Sequence, residues 1–250
     1  MHTHKVALVT GANKGIGYAI ASELAARGLT VLVGARDAAR GEAPHARGVH
    51  RDRRVVDEDV EAPELATDPS RRRRDRRGVG DVERDRAGVA ADPFRGRLAA
   101  MRRSGAPSEA ALDDVRAVFE TNVFGVIAVT QAMLPLLRES PAGRVVNLSS
   151  RIGSLSAITD PAFPMRGVGG VAYGPSKTAL NAVTIAFAQE LEGTAVKVNL
   201  VCPGHTATDL NGHSGARTVT EAAREPVRLA LLGPEGPTGT FSNEDGPIPW

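Results

Sequence analysis

The chain has 250 residues, of which 42% are hydrophobic and 24% charged, and its formal net charge is +2. This composition fits one domain with a substantial core, and it excludes collagen, a coiled coil and wholesale disorder. The 27 arginines are unevenly distributed, because 17 of them lie between residues 37 and 106.

The N-terminal residues and the cysteine content favour a cytoplasmic protein. Residues 1–5 lead directly into an apolar strand, without the hydrophobic segment and cleavage site of a secretory signal peptide. Cys202 is the single cysteine, so no internal disulfide can form. No run of about 18 apolar residues is apparent. We therefore expect a soluble protein in the cytoplasm without a membrane partner.

The first 34 residues have the pattern of a strand, a turn, a helix and a second strand. Residues 5–10 form a continuous apolar run, which is typical of a strand buried on both faces of a parallel sheet. A glycine-rich turn follows, and apolar residues then recur at helical spacing until Gly28, which has the place of a helix C-cap. Residues 29–34 predict a second buried strand. This order is the opening βαβ unit of a doubly wound α/β fold.

The glycine-rich turn predicts a phosphate-binding site. A turn between a strand and a helix directs backbone N–H groups and the positive helix end towards an anion, and glycines permit its close approach. The spacing is Gly11-x-x-x-Gly15-x-Gly17, which differs from the commoner Gly-x-Gly-x-x-Gly. An ordinary helix-entry turn is the alternative interpretation.

The end of the second predicted strand indicates the type of nucleotide. Dinucleotide-binding folds that take NAD place an acid there for the ribose 2′-hydroxyl, whereas this chain has Arg36 followed by Asp37. Arg36 can hold a 2′-phosphate, and Lys14 can add a second positive contact. We therefore expect NADP (NADPH) as cofactor, with NAD possible because of Asp37. A solvated loop charge is the alternative for Arg36.

The second half of the chain repeats the alternation of helices and strands. Residues 109–139 predict a long helix with a kink or break near Pro135, and polar Asn122 lies on its apolar face. Residues 144–149 predict a strand, residues 173–191 a helix, and residues 195–201 a further strand that ends before Pro203-Gly204.

Tyr173 and Lys177 are candidates for acid–base chemistry. They lie four residues apart, so a helix places them on one face, and a nearby ammonium lowers the pKa of a phenol. The strand before them ends in Ser149 and Ser150, whose hydroxyls can hold a substrate oxygen. A buried Asn122 would need hydrogen-bond partners, either structural or within a site. A helix-surface pair is the alternative for the tyrosine and the lysine.

Together these motifs resemble the short-chain dehydrogenase/reductase family. The motifs occur in the family's order: Thr10-Gly11-x-x-x-Gly15-x-Gly17, Asn122, Asn147-Leu-Ser-Ser150, Tyr173-x-x-x-Lys177 and Pro203-Gly204-His-Thr-Ala-Thr208. The 23-residue gap between Ser150 and Tyr173 resembles the carbonyl-reductase branch. The resemblance implies one NAD(P)-binding domain over residues 1–250, with a Rossmann-like doubly wound parallel sheet flanked by helices. It also implies an insertion beside the substrate pocket, at residues 159–170.

The resemblance further implies an NADP-dependent oxidoreductase that interconverts a carbonyl and an alcohol by hydride transfer. Tyr173 would be the general acid or base, Lys177 would support it, and Ser150 rather than Ser149 would bind the substrate oxygen. Asn122 would position a water in the proton relay. Cofactor contacts are implied for Gly11, Asn13, Lys14, Gly15, Ile16, Gly17, Arg36, Asn122, Tyr173, Lys177, Pro203, Gly204, Thr206 and Thr208.

We expect no metal site, because the histidines and the cysteine of the chain do not have ligand spacing. His205 and His213 lie near the motifs but are not arranged as ligands, and Cys202 has no second cysteine. The expected partner is a small carbonyl or alcohol compound of unknown identity. The choice between a monomer and a homo-oligomer stays open.

Residues 38–106 depart from the family pattern. The family has there a third strand, a helix and a fourth strand ending in Asn-Asn-Ala-Gly, a motif that this chain lacks. Between residues 37 and 106 there are 14 acidic residues, no lysine, and only 11 residues of the types Val, Leu, Met and Phe. Residues 55–57 are the nearest match to a third strand, and Asp57 or Asp59 is a weak candidate for an adenine contact.

Three explanations for this segment are open. It can be a basic insertion for nucleic acid, although its interspersed acids and single aromatic residue, Phe94, argue against such a partner. It can be a divergent part of the sheet. Our preferred hypothesis is out-of-frame translation of a GC-rich gene, because alanine codons read one base later encode arginine or proline. Resequencing that returns the same codons in an unbroken frame would contradict it.

The segment also supplies an alternative to an active enzyme. If it removes two central strands and a helix, the core and the adenine pocket suffer. The chain would then be a catalytically impaired or non-catalytic relative of the family, with little cofactor binding.

Overall fold

A parallel sheet forms the centre of the protein. The computed structural model describes residues 5–34, 49–50, 87–91 and 106–250. Within these ranges the strands are β1 (Val6–Thr10), β2 (Thr30–Gly34), β3 (Val49–His50), β4 (Ala87–Ala91), β5 (Arg144–Leu148), β6 (Lys197–Val201), β7 (Phe241–Asn243) and β8 (Gly246–Pro247). Their order is β3-β2-β1-β4-β5-β6-β7-β8, and all pairs are parallel except β7–β8. The predicted doubly wound sheet is confirmed.

Helices cover both faces of this sheet. They are α1 (Gly15–Ala26), α2 (Leu112–Phe119), α3 (Gly125–Glu139), α4 (Leu155–Thr159), α5 (Gly170–Glu190) and α6 (Val219–Ala230). Alternate strand residues face opposite ways, so Ala7 and Val9 pack with α1 and α6. Leu8 packs on the other side with residues of α3 and α5, including Leu137 and Ala188.

Gly28 ends the first helix as predicted. Its φ is +86°, in the left-handed region that a residue with a side chain rarely adopts. The Gly28 N–H donates to the Ala25 carbonyl at 3.0 Å, and the Leu29 N–H donates to the Leu24 carbonyl at 3.2 Å. These bonds satisfy helix-end carbonyls and turn the chain directly into β2.

The predicted long helix before β5 has an interruption that the sequence does not reveal. A π-helical segment, Glu120–Phe124, joins α2 to α3. We predicted a kink or break near Pro135. The helix does not break there, because α3 continues through Pro135 to Glu139. The stretch Leu112–Glu139 is also long and apolar enough to cross a membrane by length and composition, contrary to our expectation. Within this stretch Val126 and Leu137 pack into the protein core.

Two strands occur in the arginine-rich segment where we expected none to be recognisable. β4 lies between β1 and β5, pairing Val6 with Ala87 and Asn147 with Ala91. Its composition of alanine, glycine and one valine lacks the β-branched residues that mark a buried strand, so only the pairing of its backbone identifies it. β3 pairs with β2. The predicted third strand at residues 55–57 and the candidate adenine contacts, Asp57 and Asp59, lie outside the described residues.

Candidate active site

A cavity of about 910 Å³ lies at the carboxyl ends of the parallel strands. Its walls follow β1, β5, β6 and β7, which is the edge where ligands bind in open α/β sheets. The volume is near the upper end of the range of about 300–1,000 Å³ for small-molecule sites. The wall includes Phe163, Met165 and Val168, so the insertion borders the cavity as predicted.

Tyr173 and Lys177 lie side by side in this cavity. Helix α5 begins at Gly170, three residues earlier than predicted, so Tyr173 is in its first turn and Lys177 one turn later. The Lys177 Nζ is 5.8 Å from the centre of the Tyr173 ring. Lys177 is only 2% exposed, and its Nζ donates to the Leu148 carbonyl at 2.8 Å. A buried ammonium at this position would stabilise negative charge on the phenol oxygen.

The two serines after β5 have different surroundings. The buried Ser149 hydroxyl donates to Asn181 Oδ1 at 2.5 Å. Ser150 is half-buried, and its Oγ accepts from the Ile152 N–H at 3.3 Å. No described residue accepts the Ser150 hydroxyl proton, so this hydroxyl has a proton to donate to a ligand in the cavity.

Asn122 is buried behind the cavity wall. Its Nδ2 donates to Ser176 Oγ at 3.0 Å, and that hydroxyl donates to the Tyr173 backbone carbonyl at 2.8 Å. The π-helical segment thereby contacts the second turn of α5, and Ser176 links it to the first turn. Asn122 is not among the cavity-lining residues, and the structure links it to the backbone that carries Tyr173.

The glycine turn has two separate structural requirements. Gly11 and Gly15 have φ of +66° and +60°, and both line the cavity together with Lys14 and Ile16. Gly17 is buried outside the cavity, where an added Cβ would lie 2.6 Å from the Gly11 carbonyl oxygen. Gly17 therefore permits close packing of α1 on the turn. Asn13, another predicted cofactor residue, also does not line the cavity.

The segment after β6 forms the wall opposite the glycine turn. Pro203, Gly204, Thr206 and Thr208 all line the cavity. Thr206 is buried, and its hydroxyl is shared between the Pro203 and Gly204 carbonyls at 3.2 Å each. An added Cβ at Gly15 would point at the Thr208 methyl from 4.0 Å. The turn and this segment thus border a cleft of the kind that an extended dinucleotide requires.

Lys14 contacts a partner that the sequence did not predict. Its ammonium forms an ion pair with Asp209, whose other oxygen is 3.0 Å from His213 Nε2. Both side chains of the pair are about two-fifths exposed, so the attraction is weak and Lys14 can exchange its partner for a phosphate. Arg36, the other predicted phosphate contact, lies with Asp37 outside the described residues.

Several cavity residues were not among the predicted site residues. They include Arg151, which follows Ser150, and Cys202, which precedes Pro203. Phe163 lines the cavity from the predicted insertion. Burial raises the pKa of the Cys202 thiol, and backbone hydrogen bonds from Gly204 and Arg151 oppose this effect. The thiol is therefore protonated near neutral pH.

Comparison with known proteins decides the family. The family model described as short chain dehydrogenase matches residues 5–218. The chain belongs to this family. It is therefore an oxidoreductase that acts on alcohol and carbonyl groups and uses a nicotinamide cofactor.

Similar proteins match the chain over nearly its whole length. Short-chain dehydrogenase/reductase 1 of Saponaria officinalis is 31% identical over 98% of this chain and 96% of that protein. Carbonyl reductase 1 of Mus musculus, whose name specifies NADPH, is 30% identical over 98% of each. The solved structure of salutaridine reductase from Papaver somniferum has a TM-score of 0.71 and 26% identity, and covers 95% of this chain and 99% of that one.

Proposed function

We propose that the protein is an NADP-dependent carbonyl reductase with Tyr173 as its general acid. The observation that carries the proposal is the buried Lys177 ammonium, 5.8 Å from the centre of the Tyr173 ring and fixed by the carbonyl that ends β5. Ser150 borders the same cavity with a hydroxyl proton to donate. A carbonyl oxygen held between a serine and a tyrosine is placed for proton transfer.

Each of these side chains has a distinct task in the reduction. The bound nicotinamide cofactor supplies the hydride. Ser150 donates a hydrogen bond to the substrate oxygen, and the Tyr173 hydroxyl gives its proton to that oxygen as the alcohol forms. Lys177 would stabilise the resulting phenolate and would hold the ribose of the nicotinamide cofactor. Asn122 positions the first turn of α5 and a water that returns the proton.

The cleft has groups suited to both ends of the cofactor. Gly11, Gly15 and Ile16 would hold the diphosphate at the start of α1, where the positive helix end attracts an anion. The opposite wall would hold the nicotinamide end and part of the diphosphate, through Pro203, Gly204, Thr206 and Thr208. Gly17 and Asn13 do not line the cavity, so they would act by maintaining the conformation of the glycine turn.

We propose NADP rather than NAD as the preferred cofactor. Lys14 borders the cleft with an exchangeable ion pair, and Arg36 is the second expected contact to the 2′-phosphate. The mouse relative's name specifies NADPH. We expect the protein to act in the cytoplasm on a small carbonyl or alcohol compound, without a nucleic-acid or membrane partner.

Substitution of the tyrosine tests the proposal. NADPH oxidation is measured with a panel of ketones and aldehydes for the wild type and Tyr173→Phe. Tyr18→Phe changes the other tyrosine of the chain and is the matched control. We expect Tyr173→Phe to lose about 10²- to 10⁴-fold in kcat, while Tyr18→Phe stays near the wild type.

The outcomes separate the proposal from its alternative. Tyr173→Phe should bind NADPH within about twofold of the wild type, measured by NADPH fluorescence, because the hydroxyl acts on the substrate. Full activity in Tyr173→Phe would refute the mechanism. The alternative, a catalytically impaired or non-catalytic relative, would be supported by two results together. The wild type would bind NADPH only weakly, and no carbonyl compound of the panel would cause NADPH oxidation.

A further inference from the structure

Arg151 lies on the cavity wall directly after Ser150, which is the predicted binding residue for the substrate oxygen. Its side chain is exposed, and its guanidinium carbon is 5.4 Å from the centre of the Phe163 ring. Phe163 itself is buried. Stacking on an aromatic face orients a guanidinium without using its N–H donors, which stay available to a ligand.

Other basic side chains of the cavity differ from Arg151 in their partners. Lys14 faces Asp209, and Arg217 faces Glu244. Within the described part of the chain, no carboxylate lies within 4.0 Å of the Arg151 guanidinium. Among the described residues, the positive charge that Arg151 brings to the cavity has no carboxylate partner.

The surroundings of this charge are apolar. Ile152, Ala157 and Phe163 form one buried apolar cluster, and Met165 and Val168 continue the same wall. Lys177 lines the same cavity as Arg151 and is the second cation beside the predicted position of the substrate oxygen. An apolar ligand that carries an anionic group complements such a surface.

We infer that Arg151 is a specificity residue that binds an anionic substituent, such as a carboxylate, of the carbonyl substrate. This inference rests on the proposed function, because it concerns the same cavity. The substrate class is an apolar ketone or aldehyde that carries an acidic group. Ser150 and Tyr173 hold the carbonyl oxygen of this compound, and the guanidinium holds its acidic group with paired N–H donors.

A matched pair of substrates tests this assignment. The probes are 4-acetylbenzoate and its methyl ester, which share one ketone and differ in charge. We expect Arg151→Gln to lower kcat/KM for the acid by about 10- to 100-fold, mainly through KM, and for the ester by less than about twofold. Arg151→Lys should recover part of the loss, because it restores the charge without the planar fork.

Arg166→Gln is the control, because Arg166 is an exposed arginine of the same insertion that does not line the cavity. Equal losses for acid and ester in Arg151→Gln, or no loss for the acid, would overturn the inference. A wild type that binds NADPH but reduces neither probe nor any member of the ketone and aldehyde panel contradicts the proposed function alone. Calorimetric titration of the wild type with each probe then tests the inference. The inference is supported if the acid binds more tightly than the ester and Arg151→Gln abolishes this difference. Equal binding of the acid and the ester overturns it.

Discussion

Gly153 should be intolerant of even one added carbon, because it contacts the backbone of Lys177. A Cβ at Gly153 would lie 2.8 Å from the Lys177 carbonyl carbon and 2.8 Å from its Cβ. Ordinary contacts begin near 3.4 Å, so one element must move by about 0.6 Å. The Gly153 carbonyl also accepts hydrogen bonds from Thr178 and Asn181 on the same helix, which resists the movement.

We expect Gly153→Ala to be less stable by about 1–3 kcal/mol, as for other overpacked sites. Displacement of Lys177 relative to Tyr173 should also reduce kcat by about 10-fold, since a misplacement of about 1 Å can reduce a rate about 100-fold. Urea unfolding and NADPH oxidation measure the two effects separately.

The matched control is Gly174→Ala at the same contact. Its Cβ would lie 3.3 Å from a methyl group of Ile152, so a shift of only about 0.1 Å restores an ordinary contact, and alanine favours a helix more than glycine does. This variant should keep its stability within about 1 kcal/mol and most of its activity. Wild-type stability and kcat in Gly153→Ala would show that the contact does not position Lys177.

Two further predictions concern stability. Arg144 is buried and donates five hydrogen bonds to the carbonyls of Gly143, Ala195, Leu232 and Gly233. Because Arg144→Met removes all five, it should lower the free energy of unfolding by about 3–5 kcal/mol, measured by urea titration. A loss under about 1 kcal/mol would mean that water replaces these bonds. Hydrogen bonds from Arg217 and Arg224 hold the pKa of Glu244 below its ordinary value of 4.5. This stabilisation is present above that value and is lost as the pH falls through the folded pKa, so Glu244→Gln should be less stable than the wild type near neutral pH and equal to it in acid. A difference that persists in acid would contradict this pH dependence.

The fold could be predicted where the sequence carries periodic apolar residues or a glycine with a required conformation. β1 is a continuous apolar run, β5 and β6 are short segments rich in valine and leucine, and Gly28 marks the end of α1. β4 could not be predicted, because its alanines and glycine carry no strand signal and its place depends on pairing with β1 and β5. The π-helical segment was also unpredictable, since its composition continues that of α2 and α3.

The candidate site could be predicted where a fixed spacing determines geometry. The spacing of Tyr173 and Lys177 places them on one helix face, and the structure has them in contact in one cavity. Contacts between distant segments were not accessible in this way. The Leu148 carbonyl that fixes Lys177 is a backbone atom, and the Lys14–Asp209 pair joins residues almost 200 positions apart. A local pattern does not encode either contact.

The arginine-rich segment affects the reaction centre less directly than its position in the chain suggests. Ser150, Tyr173 and Lys177 lie on or beside β5 and α5, outside residues 38–106. The segment reaches this region through β4, whose backbone pairs with β5 from Arg144 to Asn147. Such pairing uses N–H and C=O groups that almost any sequence supplies. If the segment is translated out of frame, the altered side chains should therefore weaken cofactor affinity more than proton transfer from Tyr173.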